Sequence, residues 1–372
     1  MNTNHVIGIW NILRGHPVVL PAVGRNLSQR LHHPLAKNHD GGWSAPPELI
    51  TVVVTDVCNL HCKMCQYAFS DAPGYQLNQV GRMPSELFRR LVDQIPGQPV
   101  IAFTGGEPLL HPEVADFVAY AKRAHRFCTL TTNGWMLEAH ARELCTAGLD
   151  FLSVSLDGPP ELHNHVRGAK AFDRLAAGLQ AIMAQPRRPI TFLSMAISDL
   201  NYDQMLTVFE LAREWRLDGI NFNHLWMQTD KMAQQHNAEF SIFAADEVAW
   251  DIHPERVVVG QVAQAMETIR ARTRFSSLIV TQTPDLSRGD IAMWYREPER
   301  FVKYRSTRCA WTRLKVWPDG AVKPCRDWRV GNMLEDAPMQ VWNNGNYRQF
   351  RQLLAANGTL PICARCCWMA YR

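Results

Sequence analysis

Between about residues 48 and 226 the chain alternates short, nearly continuous apolar runs with longer amphipathic ones. The short runs are ITVVVTD (50–56), PVIAFTGG (99–106), RFCTLTTNG (126–134), DFLSVSLDG (150–158), ITFLSMAIS (190–198) and GINFNHLW (219–226). Runs of this length without strict alternation predict strands covered on both faces, as in a parallel sheet. The intervals carry helix signals. In HPEVADFVAYAKRAH, Pro112 comes early and Val114, Phe117, Val118 and Ala121 recur at helical spacing. SELFRRLVDQI (85–95) opens on Ser85, a candidate N-cap, and DQMLTVFELAREW (203–215) continues the alternation. Six βα units predict an α/β fold, either an open sheet or a partial barrel. Ligands of such sheets gather at the carboxyl ends of the strands. Here those ends read TDVC, TGGEP, TTNG and SLDG, all small, polar or glycine-rich.

The rest of the chain is less regular. Residues 6–32 allow a short amphipathic helix that docks on the main domain. MQTDKMAQQHNAEFS (227–241) reads as an exposed loop, VVVGQVAQAMETIRARTRF (257–275) as a helix despite Gly260, and the whole stretch as a connector packing on the first domain. CAWTRLKVWPDGAVKPC (309–325) predicts a β-hairpin turning at Pro318–Gly320, with Cys309 and Cys325 at its outer ends. A helical stretch (339–356) and LPICARCCWMAYR follow. No solenoid repeat or low-complexity segment interrupts this order. The expected division is an N-terminal extension (1–47), a core (48–230), a connector (231–304) and a cysteine-bearing domain (305–372).

Composition narrows the function. With 47% hydrophobic and 20% charged residues in 372, the chain is an ordinary globular protein. A formal net charge of +4, with scattered basic residues, argues against a nucleic-acid partner. No apolar run approaches membrane-spanning length. The first 21 residues lack a secretory pattern, so a cytoplasmic protein is expected, with membrane-surface contact of the N-terminal helix the lesser reading.

Eight of the ten cysteines fall in two groups, at 58–65 and 309–367. In a long chain without a secretion signal this pattern favours metal or redox chemistry over disulfides. In TDVCNLHCKMC, Cys58, Cys62 and Cys65 stand at intervals of four and three. Thiolates suit zinc or iron–sulfur centres. Three protein ligands leave one metal position open, as catalytic sites require. Cys309, Cys325 and the CxxC pair Cys363 and Cys366 make a complete set of four. Cys367 rivals Cys366 there, and structural zinc is the alternative for the set. Cys128 and Cys145 read as buried and inert. His61 reads as a solvated loop residue, and His111 as serving a helix entry. Asn221, Asn223 and His224 read equally as substrate-facing or as a structural polar cluster. Asp56, Asp157 and Glu107 lie at strand ends, but none is singled out as a general base.

On these motifs the chain resembles the radical S-adenosylmethionine (SAM) superfamily. Cys58, Cys62 and Cys65 match its CxxxCxxC signature, FTGGEP (103–108) its GGE motif, and TTNG and SVSLDG its later strand ends. The resemblance implies a partial (β/α)6 barrel holding a [4Fe–4S] cluster, whose open iron is chelated by SAM. One electron then cleaves SAM to methionine and a 5′-deoxyadenosyl radical, which abstracts hydrogen from substrate. It further implies that Gly105, Gly106 and Glu107 receive the SAM ammonium, an amine that wants acceptors and negative charge. Ser155 is implied to contact the ribose and Arg167 the carboxylate. Met64 departs from the family, which often places an aromatic residue there near the adenine. Methionine is polarizable enough to pack on a ring, and Tyr67 is either a second contact or an ordinary loop aromatic.

The C-terminal segment resembles the SPASM/twitch extensions, through Cys309, Gly320, Cys325, VGNMLED and LPICARC. Five cysteines after residue 300, where the longer pattern has seven, imply one auxiliary iron–sulfur cluster, in a small α+β domain. Its ligands are then Cys309, Cys325, Cys363 and Cys366, and full ligation makes it an electron carrier or scaffold. The expected function is hydrogen abstraction from a small metabolite in a biosynthetic pathway, since the 47 residues before the first strand are too few for a peptide-binding domain. The alternatives are modification of a ribosomal peptide or protein and, in another class, a non-catalytic metal-binding regulator. The last leaves GGEP, SLDG and Arg167 unexplained. An electron donor such as flavodoxin or ferredoxin is the expected protein partner.

Overall fold

The computed structural model describes residues 40–65, 80–240, 245, 253–274, 276–302, 304–325, 328–366 and 370–371. The expected N-terminal helix, Tyr67 and Cys367 lie outside them. Six strands, β1 (Leu49–Thr55), β2 (Val100–Gly105), β3 (Cys128–Thr132), β4 (Phe151–Ser155), β5 (Ile190–Ile197) and β6 (Gly219–His224), run parallel and pair in sequence order. Between them lie α1 (Ser85–Gln94), α2 (Val114–Arg123), α3 (Leu137–Ala147), α4 (Pro160–Arg167), α5 (Ala171–Met183) and α6 (Met205–Glu214). The sheet does not close, and the architecture is a partial barrel.

Each strand has two different faces, because successive side chains point oppositely. Ile50, Val52 and Val54 of β1, Ile101 and Phe103 of β2, and Leu152 and Val154 of β4 are buried in the main core with the helices. There Phe88 of α1 stacks on Phe117 of α2 at 4.4 Å. The alternate positions carry Thr51, Thr104, Thr131, Ser153, Ser155, Ser194, Asn221 and Asn223. The strands read as continuous because hydroxyl and small residues interrupt the apolar face only weakly, yet one face packs helices and the other lines the barrel.

Several expectations are corrected. Residues 227–241 are not wholly loop: α7 (Asp230–Glu239) forms there, capped by Thr229 Oγ1 accepting from Met232 N at 3.2 Å. It buries Met232, Ala233 and His236, a face too sparse to show as an apolar period. Ser85 is not the cap of α1. Pro84 holds that place, and Ser85 Oγ donates to Glu113 Oε2 at 2.5 Å. The connector also does more than pack. After α8 (Val259–Arg272) it adds β7 (Ile279–Thr283), parallel to β6, and then α9 (Arg288–Arg296).

The C-terminal segment joins the same sheet from the other edge. β8 (Tyr304–Ser306) pairs with β12 (Ala370–Tyr371), and a short helix, α10 (Cys309–Thr312), leads into the hairpin β9 (Arg313–Val316) and β10 (Ala321–Val322). β9 lies parallel to β1, and β11 (Gly331–Asn332) completes the edge, giving the order β11-β10-β9-β1-β2-β3-β4-β5-β6-β7. α11 (Pro338–Trp342) and α12 (Gly345–Asn357) cover it. Buried Arg351 binds the carbonyls of Ala310, Gly42 and Trp342, and its guanidinium lies 4.4 Å from both the Trp342 and Tyr347 ring centres. Among the described residues no helix is long and apolar enough to cross a membrane.

Candidate active site

The loop after β1 carries the first cysteines, and its two ends are tied together. Buried Asp56 accepts from Val80 N at 2.6 Å and Gly81 N at 2.7 Å, while Thr55 Oγ1 donates to Gly81 O at 2.7 Å. Lys63 N donates to Val166 O at 3.0 Å, docking the loop on α4. Cys62 is buried, Cys58, Met64 and Cys65 are half-buried, and His61 is exposed as expected. Burial pushes the Cys58 thiol up and the Cys62 thiol up to about 11, with the Arg167 charge pulling back on both. Cys65 raises both, and Cys58 raises Cys62, so the three thiols lie within electrostatic reach. Such thiols bind soft metals with loss of their protons.

The GGE turn presses directly on this loop. Gly106 N donates to Thr55 O and Glu107 N to Val57 O, both at 2.8 Å. A Cβ on Gly105, which has φ +146°, would sit 2.0 Å from Thr55 O, and one on Gly106 2.4 Å from Val57 O. Only glycine permits this approach. The Glu107 carboxylate is fully buried and accepts from Leu109 N at 3.0 Å, Thr132 Oγ1 at 2.7 Å and Asn133 N at 2.7 Å. Asn133 Nδ2 then donates to Asn59 Oδ1 at 3.0 Å, closing a ring of ties back to the cysteine loop. The carboxylate thus ties the ends of β2 and β3 together, while Gly105 and Gly106 form the cavity wall. Thr132, Asn133 and Asn59 were not singled out by sequence, although TTNG marked the place.

Arg167, at the end of α4, donates to Asp157 through Nε at 2.5 Å and Nη2 at 3.4 Å, and its Nη1 lies 4.0 Å from Cys62 Sγ. Burial works against the Arg167 charge, but the Asp157 carboxylate together with Cys62 and Cys65 outweighs it and holds the guanidinium protonated above its ordinary range. His163 accepts from Asp157 N at 3.2 Å. Its pKa falls to about 4 through burial, with Arg167 adding to the effect. Ser155 ends β4, half-buried and in register with Ser194. Asp56, Asp157 and Glu107 are thus all occupied in holding the site together.

A cavity of about 590 Å³ runs from this edge to the C-terminal hairpin. Gly105, Gly106 and Thr131 line it on the barrel side, Asn223, Trp226 and Thr283 at the far strands, and Lys315, Trp317 and Lys323 on the hairpin. Asn221 and Asn223 stand on the barrel's inner face. Asn223 Nδ2 donates to Ser194 Oγ and Asn221 Nδ2 to Asn223 Oδ1, both at 2.8 Å. His224 points the other way, buried against Tyr295 Oη at 2.9 Å and Gln282 Nε2 at 2.5 Å, and burial lowers its pKa to about 3.

Cys309, Cys325, Cys363 and Cys366 line the same cavity. Burial pushes Cys309 up to about 12 and Cys363 well above the usual thiol range. Cys363 responds to all three of the others. Among the described residues no three His, Cys, Asp or Glu side chains are drawn in tightly enough for a single metal ion. The sulfurs converge more loosely, and an all-sulfur set of four fits a cluster in the softness of its donors. Buried Arg365, between Cys363 and Cys366, donates to the carbonyls of Met293, Trp294 and Glu297 at the end of α9 and fixes this pair against the barrel.

A family model of the radical SAM superfamily matches residues 52–212, and one of the SPASM iron–sulfur cluster-binding domain matches residues 308–367. The chain belongs to the radical SAM superfamily. As a radical SAM protein with a SPASM domain it uses SAM and iron–sulfur clusters as cofactors. It is 32% identical to an AdoMet-dependent heme synthase of Methanosarcina barkeri over 45% of this chain and 48% of that protein. It is 31% identical to a GTP 3′,8-cyclase of Chlorobaculum tepidum, over 45% of this chain and 50% of the other. The chain thus spans about half the length of these curated relatives. Among solved structures, anSMEcpe with bound AdoMet superposes with a TM-score of 0.58 at 19% identity, covering 83% of this chain and 80% of that one. Streptococcus suis SuiB bound to S-adenosylmethionine gives 0.61 at 15% identity, covering 87% and 72%. At those identities the likeness shows the radical SAM fold alone.

Proposed function

We propose that this radical SAM protein is an enzyme that abstracts hydrogen from a small organic metabolite bound in the cavity between barrel and hairpin. The observation that carries the reading is the shared cavity. The Gly105–Gly106 edge and the four C-terminal thiols face one cavity of about 590 Å³, a volume that suits a metabolite. In this reading residues 48–230 activate SAM and residues 305–372 hold the auxiliary cluster, with 231–304 joining them.

Cys58, Cys62 and Cys65 hold the first cluster, and Cys309, Cys325, Cys363 and Cys366 the second. Together the cofactors supply reductive SAM cleavage and hydrogen-atom abstraction. The chain's own part is positioning. The backbone of Gly105 and Gly106 meets the SAM ammonium, and Glu107 keeps that edge in place from behind. Arg167, oriented by Asp157, meets the SAM carboxylate beside Cys62, and Ser155 meets the ribose. The barrel wall and the hairpin keep water from the reacting carbon.

Equilibrium dialysis with labelled SAM tests the site. The anaerobically reconstituted protein is expected to bind SAM, and the Cys58→Ala protein to lose both SAM and the first cluster's iron. Full SAM affinity in Cys58→Ala would overturn the assignment.

A further inference from the structure

The end of α4 brings a buried ion pair against the first cysteine group. Arg167 is 11% exposed and Asp157 fully buried, and Nε and Nη2 of the arginine donate to the two carboxylate oxygens. The remaining nitrogen, Nη1, lies 4.0 Å from Cys62 Sγ. The backbone sets this approach. Lys63 N donates to Val166 O at 3.0 Å, so the residue after Cys62 is tied to the residue before Arg167. Asp157 is fixed in turn, its own N–H donating to His163 Nδ1 at 3.2 Å. Burial keeps His163 neutral, so it brings no second cation to the pair.

An ion pair is neutral as a whole, but close to one end the two charges do not cancel. Coulomb energy falls with distance and is strongest where water is excluded. The thiols respond accordingly. Arg167 draws the Cys62 thiol down by more than Asp157 pushes it up. Arg167 also draws on Cys58, where the opposing carboxylate is that of Glu107. Leu60 N adds a neutral donor, 3.5 Å from Cys58 Sγ. The same field acts on any charge that these sulfurs carry. An electron added to a cluster on Cys58, Cys62 and Cys65 makes it more negative, and a buried cation beside one of its sulfurs favours that state. Charges and N–H donors around ligand sulfurs are among the features that set cluster potentials.

We propose that Arg167 and Asp157 tune the reduction potential of the first cluster. Arg167 raises it and so eases the one-electron reduction that SAM cleavage needs, while Asp157 holds Arg167 at Cys62 and limits the rise. The electron comes from an external one-electron donor and enters the cluster, and no bond forms or breaks in this step. Arg167 is then a positioning and tuning residue besides its contact with the SAM carboxylate. The proposal rests on Cys58, Cys62 and Cys65 holding the first cluster.

The test is a potentiometric titration of the full-length, anaerobically reconstituted protein with dithionite and no SAM, followed by electron-spin resonance. The Cys58→Ala protein, which keeps the auxiliary cluster, supplies the signal to subtract. Arg167→Gln is expected to lower the reduced-to-oxidised ratio of the first cluster at a given potential by about tenfold, a shift of ~59 mV for one electron. Arg167→Lys should stay near wild type, because it keeps the charge and loses only the fork. Asp157→Asn should move the potential upward. Arg167→Gln/Asp157→Asn, a pair without charge, should fall below wild type and above Arg167→Gln. A merely structural pair would not shift its two single variants in opposite directions. A wild-type potential in Arg167→Gln, or Asp157→Asn at or below wild type, overturns the proposal. Where a single variant takes up no iron, the double variant decides, and a wild-type potential there overturns it. Full iron in Cys58→Ala would overturn the ligand assignment and the proposal with it, whereas unchanged potentials in iron-loaded variants overturn the tuning alone.

Discussion

Glu107 Oε2 accepts the backbone N–H of Asn133 at 2.7 Å. This bond joins the end of β2 to the end of β3, and Asn133 carries the tie onward to Asn59 in the cysteine loop. Glutamine at position 107 replaces an acceptor with a donor that must face one of three existing donors. A buried polar mismatch of this kind costs about 1–3 kcal/mol. Glu107→Gln is therefore expected to lower the melting temperature of the protein and reduce iron uptake at the first cluster. Thermal melts and iron analysis check this, and unchanged values would show that Glu107 does not brace the loop.

Gly106→Ala tests the same contact from the backbone. Its Cβ would meet Val57 O at 2.4 Å, so the cysteine loop must move. Reconstituted wild-type protein is expected to carry about eight irons from two [4Fe–4S] clusters. The variant should retain the auxiliary cluster and fall to about half. A full complement of iron in Gly106→Ala would show that the loop tolerates the displacement.

Arg167 and Asp157 are expected to fail together. Removing one partner of a buried pair leaves an uncompensated charge, a loss of about 3–5 kcal/mol. Arg167→Ala should unfold at a clearly lower temperature, and Arg167→Lys should fold but bind SAM more weakly, since lysine lacks the planar fork. Equal SAM affinity in wild type and Arg167→Lys would separate Arg167 from SAM binding.

Much of this arrangement was legible in the sequence. The six strands followed from short apolar runs alternating with amphipathic ones, and both cysteine groups followed from spacing alone. What stayed hidden has physical reasons. α7 buries few large apolar residues, so only its Thr229 cap announced it. β7 is mixed in polarity, and its burial comes from pairing with β6. A motif also does not show its internal ties: GGE places two glycines on the cavity and bonds its carboxylate to Thr132 and Asn133. The alternation of Arg313 and Lys315 along β9, continued by Trp317 just beyond it, was a readable signal of one face, but only the pairing of β9 with β1 says that it is the cavity face.

His224 supplies a pH test of its buried, structural placement. Burial lowers its pKa to about 3 from an ordinary value near 6.5. A lowered histidine pKa gives stability that is present above about 6.5 and lost as pH falls toward the folded value, here by a few kcal/mol at most. His224→Gln should be less stable than wild type at neutral pH, and the difference should shrink as pH falls from 6.5 toward 4. Melting temperatures of the two proteins across that range check the sign. A difference independent of pH would mean that His224 is not held neutral in the core.

The most direct measurement is product formation from SAM. The anaerobically reconstituted protein, given dithionite and SAM, is expected to form 5′-deoxyadenosine and methionine. Cys58→Ala, Cys62→Ala and Cys65→Ala should each form none, while Cys363→Ala keeps the ability to cleave SAM. No 5′-deoxyadenosine from protein that carries both clusters and binds SAM would contradict the account.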